Sequence, residues 1–152
     1  MMSEARCQLP YAEDVPYWKT GSSSPEKWIQ GACRQIESIG GRVEHEAFAS
    51  NAYQGSAYCL VFFVDGEQYR IVWPVLPTKR PGDALAARRQ AATFLFHDVK
   101  AKCMSSLVLG ARAAFMPWRA LPDGRPACFA TFGEVRATFP ALPLPPPDGG
   151  PR

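Results

Sequence analysis

Long apolar runs are missing from this sequence. Nowhere do its 152 residues approach the roughly 20 consecutive apolar residues that a bilayer-spanning helix needs. Residues 1–6 also lack the hydrophobic centre of a secretory signal peptide. We therefore expect a cytoplasmic protein without a membrane partner.

Cysteines at metal-binding or disulfide spacing are missing too. The five cysteines stand roughly 25 to 45 residues apart, and no CxxC motif occurs among them. Isolated thiols of this kind are typical of reduced proteins, where cysteine acts as a small apolar side chain. We expect neither a disulfide framework nor a metal site at Cys7, Cys33, Cys59, Cys103 or Cys128.

The common catalytic motifs are absent as well. The chain has no phosphate-binding glycine loop, no GxSxG motif and no HExxH motif. Its two histidines are His45 and His97. A catalytic pair of His97 with Cys103 is disfavoured, because six residues on a helix separate two side chains by about 120°. We expect a non-catalytic protein that needs no cofactor.

Acidic residues are scarce in one segment. The segment from Thr78 to Arg119 contains eight basic residues and two acidic ones, so its net charge is +6. The net charge of the other 110 residues is −3. A basic segment on a near-neutral body is typical of a protein with an anionic partner. The alternative is a solvated helix face, whose Lys and Arg stems cover the edges of an apolar seam.

Helix and strand signals alternate in the order α-β-β-β-α. Ser24 is a natural N-cap for a helix from about Pro25 to Ile39, which Gly40-Gly41 would end. Asp65-Gly66 predicts a hairpin turn between two strands. The three predicted strands are Arg42 to Phe48, Ala57 to Val64 and Gln68 to Val75.

The second helix is predicted from about Ala84 to Leu109, with Asp83 as its N-cap and Gly110 as a bend or end. Its apolar stripe at 100° per residue consists of Leu85, Ala92, Phe96, Val99, Cys103 and Leu107. Phe94 lies opposite this stripe, so it is either exposed or covered by another subunit or segment. Residues 127–132 are predicted as a short edge strand.

These elements predict an α+β protein in which an antiparallel sheet of three or four strands packs against two helices. We assign residues 1–23 to an N-terminal extension and residues 24–135 to one domain. Residues 136–152 form a proline-rich tail, expected to be flexible, because six of the 15 prolines fall in the last 13 residues.

Cations and aromatic rings supply the two halves of a nucleic-acid site, since cations contact phosphates and rings stack on bases. The predicted phosphate contacts are Lys79, Arg80, Arg88, Arg89, Lys100, Lys102 and, more weakly, Arg112. The predicted stacking residues are Trp73, Phe94 and Trp118. Trp73 shares a strand face with Tyr69, Ile71 and Val75. The pattern therefore leaves two alternatives for Trp73, a core residue or a stacking residue.

The basic, alanine-rich stretch from Asp83 to Thr93, followed by Lys100, Lys102 and Leu109-Gly110, resembles the helix of phage-type single-strand annealing proteins (the RecT, Redβ and Erf type). At the level of element order, residues 25–112 are also similar to the double-stranded-RNA-binding domain. The compact lysine cluster of that domain is missing here. The resemblance implies single-stranded DNA binding and strand annealing by a homo-oligomer, in a phage or mobile-element context.

We therefore interpret the chain as a non-catalytic nucleic-acid-binding protein, with single-stranded DNA as the expected partner. The alternative is a small protein-interaction module, such as a phage-type inhibitor or assembly factor. It would act through the apolar helix flank around Phe94 and Val108, or through the proline-rich tail as the ligand of an aromatic groove.

Overall fold

The computed structural model describes residues 9–51, 55–131, 133 and 134. It confirms the α+β class and the order α-β-β-β-α. The described elements are α1 (Pro25–Ser38), β1 (Arg42–Asn51), β2 (Gly55–Val64), β3 (Glu67–Pro74), α2 (Ala84–Leu109) and the short α3 (Ala111–Ala114). Cys7 and residues 136–152, assigned to the tail, lie outside the described residues.

Helix α1 has the ends that its sequence predicts. The Oγ of Ser24 accepts a hydrogen bond from the backbone N–H of Lys27 at 3.4 Å, and Pro25 occupies the first helical position. After the helix, Gly40 adopts a φ of 86°, a conformation that glycine reaches without steric cost. The N–H of Gly41 then donates to the carbonyl of Ile36, which closes the last turn.

The antiparallel sheet has the order β1-β2-β3 among the described residues. Asp65 and Gly66 both have positive φ angles, of 53° and 76°, as the predicted two-residue hairpin requires. Strict alternation along β1 would place Val43, His45 and Ala47 on one face, but the strand does not alternate regularly. The register shifts between Val43 and His45, so Glu46 and Phe48 become the residues opposite the buried Leu60 and Tyr58.

Both helices pack on one face of the sheet and share one apolar core. The largest fully buried side chains of this core are Tyr69, Phe62, Phe115, Ile36, Leu60, Ile71, Leu95 and Val99. Trp73 lies at the edge of the core, half-buried and packed against it. The predicted alternation of β3 is confirmed, because Tyr69 and Ile71 are buried in the core and Arg70 between them is exposed.

The N-terminal segment, residues 9–23, packs against α2. Gln90 is 1% exposed, and its Nε2 donates to the carbonyl oxygens of Ala12 (2.7 Å), Val15 (3.3 Å) and Pro16 (3.0 Å). The N–H of Ala12 donates to the carbonyl of Pro77 at 2.8 Å. One buried amide therefore satisfies three main-chain acceptors and holds this segment on the helix.

Three details of the later chain differ from expectation. Leu85 and Leu107, placed in the apolar stripe of α2, are 49% and 77% exposed, so the buried part of the stripe is confined to the middle of the helix. Asp83 makes no side-chain cap, since its carboxylate pairs with Lys19 at 3.1 Å. The predicted edge strand is instead a single 3₁₀ turn, Ala127–Phe129, and Phe132 lies outside the described residues.

None of the helices in the described ranges has the length and apolarity needed to cross a membrane.

Candidate nucleic-acid interface

Four of the seven predicted phosphate contacts form ion pairs within the chain. Their partners belong to the N-terminal segment, α1, α2 and β3. The pairs are Lys79 with Asp14 (2.9 Å), Arg88 with Glu26 (3.5 Å), Lys102 with Asp98 (2.8 Å) and Arg112 with Glu67 (2.6 Å). A cation that already has a carboxylate partner gains less from a phosphate, since the existing pair must first be broken.

Arg88 is the most strongly engaged of these cations. Its guanidinium lies 4.1 Å from the ring centroid of Phe48, and its Nε donates to the hydroxyl of Tyr58 at 3.3 Å. Both rings belong to the sheet, on β1 and β2. Arg88 therefore ties α2 to the sheet and to Glu26 of α1.

Glu67 forms ion pairs with two basic side chains near the end of the basic segment. Arg112 reaches both of its carboxylate oxygens, and Arg119 pairs with the same carboxylate. Burial disfavours the charged form of Glu67, but the hydrogen bonds from Arg112 and Arg119 outweigh this and lower the pKa of the carboxyl. Burial and the neighbouring Glu67 charge raise the pKa of Tyr69 to about 12. This cluster fixes the chain after α3 to β3.

The other three predicted contacts, Arg80, Arg89 and Lys100, make no ion pair with any part of the chain that the structure describes. Arg89 and Lys100 are 11 residues apart on α2. At 1.5 Å and 100° per residue they lie about 16 Å apart along the helix, and only about 20° apart around it. The two unpaired cations therefore share one face of α2.

Arg89 opens into a cleft of about 440 Å³ between the N-terminal segment, α1 and α2. We call it the charged cleft, lined by Tyr17, Lys19, Thr20, Gly21, Trp28, Ala86, Arg89, Thr93 and His97. The Nε of Arg89 is buried and has no hydrogen-bond partner among the described residues. A buried guanidinium N–H without a protein acceptor favours an anionic ligand at this position.

Aromatic rings form the walls of the charged cleft. His97 stacks on Tyr17 with ring centroids 5.2 Å apart, and the ring centroid of Trp28 lies 5.8 Å from that of His97. Tyr17 and Lys19 both have positive φ angles, of 66° and 52°, which cost energy in residues other than glycine. Sequence reasoning missed Tyr17, Lys19, Trp28 and His97 as site residues, because nothing in the local pattern shows that residues 17–21 lie beside α2.

The three predicted stacking residues come together in a different cleft. This apolar cleft, of about 320 Å³, is lined by Val15, Trp73, Pro74, Leu76, Gln90, Ala91, Phe94 and Trp118. The indole rings of Trp73 and Trp118 are 6.5 Å apart, inclined at 44°. Its lining contains no Lys or Arg, so the predicted stacking rings stand apart from the unpaired cations.

The N-terminal segment covers part of Phe94, which is half-buried and also lines the apolar cleft. Its ring packs edge-on against Tyr17 with centroids 5.0 Å apart. The exposed part of the helix flank lies further on, at Met104, Leu107, Val108 and Leu109, which are 63% to 84% exposed.

Two of the described thiols, Cys33 and Cys103, lie in surroundings that disfavour the thiolate. Burial, together with a hydrogen bond to Glu46, raises the pKa of Cys33 to about 12, and burial raises that of Cys103 to about 11. Both thiols are therefore protonated and weakly nucleophilic at neutral pH. Within the described ranges no three His, Cys, Asp or Glu side chains are grouped so that they could hold a metal ion.

Comparison with known proteins gives no match to a family model, to a curated protein or to a solved structure. The resemblance to single-strand annealing proteins and to the double-stranded-RNA-binding domain therefore stays a prediction.

Proposed function

We propose that this chain is a non-catalytic nucleic-acid-binding protein that contacts single strands through the charged cleft. The observation that carries the proposal is the environment of Arg89. Its guanidinium lies in a cleft beside three aromatic side chains, and its buried Nε has no partner among the described residues. Phosphate oxygens are the acceptors that such a donor binds best.

The charged cleft also has the composition of a single-strand site. Unpaired bases stack on exposed rings, and each stacked base contributes about 1–3 kcal/mol. Tyr17, Trp28 and His97 offer rings next to Arg89, while Lys19 in the same cleft is paired with Asp83. Lys100 extends the positive surface along the same face of α2, so a strand leaving the cleft would meet a second cation.

The proposal narrows the phosphate contacts to the two unpaired cations of α2, Arg89 and Lys100, and leaves out Arg80, which precedes the helix. Replacing Arg89, the cation that lines the cleft, tests it. Arg89→Ala should weaken binding of a labelled single strand about tenfold, because a hydrogen bond to a charged group is worth about 1.5–3 kcal/mol. It should also reduce the salt dependence, by about 0.7 in the slope for each lost phosphate contact. Fluorescence anisotropy at several salt concentrations measures both quantities.

Two controls separate a local contact from the loss of one positive charge. Arg34→Ala removes an exposed cation of α1 outside the cleft, and Lys102→Ala removes a cation already paired with Asp98. Both should bind within about twofold of the unmodified chain, since neither cation is a proposed phosphate contact. Equal losses in all three variants would contradict the assignment to the cleft.

A protein-interaction module is the second candidate, and one observation favours it. Met104, Leu107, Val108 and Leu109 form an exposed apolar patch at the end of α2. Exposed clusters of this kind commonly mark protein contacts. Leu107→Glu together with Val108→Glu should then lower the mass measured by light scattering from an oligomer to a monomer. An unchanged monomer mass in both forms would contradict self-association through this patch.

A further inference from the structure

The apolar cleft has features of a groove that binds an extended proline-rich segment. Its walls are two tryptophan rings, the ring of Phe94 and the apolar side chains of Val15 and Leu76. The indoles of Trp73 and Trp118 contact each other at an angle of 44°, so together they form one angled aromatic wall of the cleft. Aromatic grooves of this type hold polyproline II segments, whose rings pack flat against aromatic faces.

One polar group in the wall lacks a partner. The Nε2 of Gln90 donates to three carbonyls of the N-terminal segment, which leaves its Oε1 as the free side of the amide. This oxygen is buried and accepts no hydrogen bond from the described residues. A segment that alternates proline with other residues still carries N–H groups that could serve it.

The chain itself contains a segment of the right composition, and it follows a part of the chain that contacts the cleft wall at Trp118. Residues 140–147 read Pro-Ala-Leu-Pro-Leu-Pro-Pro-Pro, which gives prolines at PxxP spacing with N–H groups at Leu142 and Leu144. The described chain ends at Glu134, and Phe129 packs edge-on against Trp118 with centroids 6.3 Å apart. The six residues from Glu134 to Pro140 can span about 20 Å.

We infer that the segment 140–147 docks into the apolar cleft of its own chain. The cleft is then a self-binding site for a proline-rich helix, with Trp73 and Trp118 as the rings that contact the prolines. Docking in the same chain is favoured over capture of a distant segment, because a short connection keeps the effective concentration of the tail high.

The four tryptophans of the full-length chain serve as reporters. The protein is labelled with fluorotryptophan, and each fluorine NMR signal is assigned by a single Trp→Phe variant. Replacing Pro143, Pro145, Pro146 and Pro147 together by Ala should shift the signals of Trp73 and Trp118. The signals of Trp18 and Trp28, outside the cleft, should stay unchanged and thereby show that the fold is intact. Gly149→Ala, in the same tail but outside the proline block, is the control and should move no signal.

Each outcome decides the proposal. Selective shifts of Trp73 and Trp118 that do not change on dilution support docking within one chain. Four unchanged signals in the proline variant contradict it. Signals of Trp73 and Trp118 that move on dilution of the unmodified protein show exchange between chains, which also contradicts docking in the same chain.

Discussion

The charged cleft and the apolar cleft lie on adjacent faces of α2 and share the N-terminal segment as a wall. Tyr17 lines the charged cleft and Val15 lines the apolar cleft, two residues away. On the helix the neighbours Arg89 and Gln90 point into different clefts, about 100° apart. Both clefts are rich in aromatic rings, but only the charged one contains cations.

This difference shows that aromatic residues alone do not identify a nucleic-acid site. A strand needs rings and unpaired cations within reach of each other, because phosphates flank every base. In the apolar cleft the rings stand without a cation, which suits an uncharged ligand. In the charged cleft the buried Nε of Arg89 lacks a partner among the described residues, which suits an anion.

The largest effect on stability is expected from removing the hydrogen bonds that hold the N-terminal segment, the wall that both clefts share, on α2. Gln90→Met keeps the length of the side chain but removes the donor to Ala12, Val15 and Pro16. We expect the free energy of unfolding to fall by about 2–3 kcal/mol, since the buried carbonyl of Ala12 and the partly buried carbonyls of Val15 and Pro16 all lose this donor. Urea denaturation measures it, with Gln30→Met on the exposed face of α1 as the control. A loss of less than about 0.5 kcal/mol would mean that Gln90 does not hold the segment.

The next largest effect concerns single-strand binding, which should depend on the rings of the charged cleft and not on those of the apolar cleft. Tyr17→Ala removes a ring from the charged cleft and should weaken single-strand binding about tenfold, which matches the loss of one stacked base. Trp118→Ala removes a ring from the apolar cleft and should leave that affinity within about twofold. Anisotropy titrations of the two variants side by side measure the contrast. A larger loss in Trp118→Ala would reverse the assignment of the clefts.

The smallest effect concerns the support of the apolar cleft. Glu67 binds Arg112 and Arg119, next to Trp118, and its lowered pKa means that it stabilises the fold while charged. This stabilisation is present above the unfolded-state pKa of about 4.5 and is lost as the pH falls through the lower folded-state pKa.

Glu67→Gln should therefore lower the free energy of unfolding at neutral pH by about 1 kcal/mol, a modest value because the pair is partly solvated. The difference between variant and unmodified chain should shrink towards acid pH, where Glu67 itself is neutral. Thermal unfolding at a series of pH values measures this. A difference that stays constant down to low pH would show that the charge of Glu67 is not what stabilises the cluster.

The local parts of this molecule could be predicted from the sequence. The hairpin at Asp65-Gly66 and the start of α1 at Ser24-Pro25 depend on backbone conformations that neighbouring residues dictate. The bulge in β1 could not be predicted, because no local signal separates Val43 from His45.

The site was harder to predict because it depends on distant partners. Lys79 and Asp14 are 65 residues apart in sequence, and Arg112 and Glu67 are 45 apart, so no spacing rule reveals that these cations are paired. Likewise, the composition of residues 17–21 gives no indication that Tyr17 lies on His97. The type of residue was predictable, but its availability for a ligand was not.

The central claim is that a single strand enters the charged cleft and not the apolar one. Titrating the fluorotryptophan-labelled chain with a single-stranded oligonucleotide tests this directly, because Trp28 lines the first cleft and Trp73 and Trp118 line the second. We predict that the signal of Trp28 moves with the oligonucleotide concentration while those of Trp73 and Trp118 stay in place. Movement of Trp73 and Trp118 with a fixed Trp28 signal, or no movement of any signal, would contradict the claim.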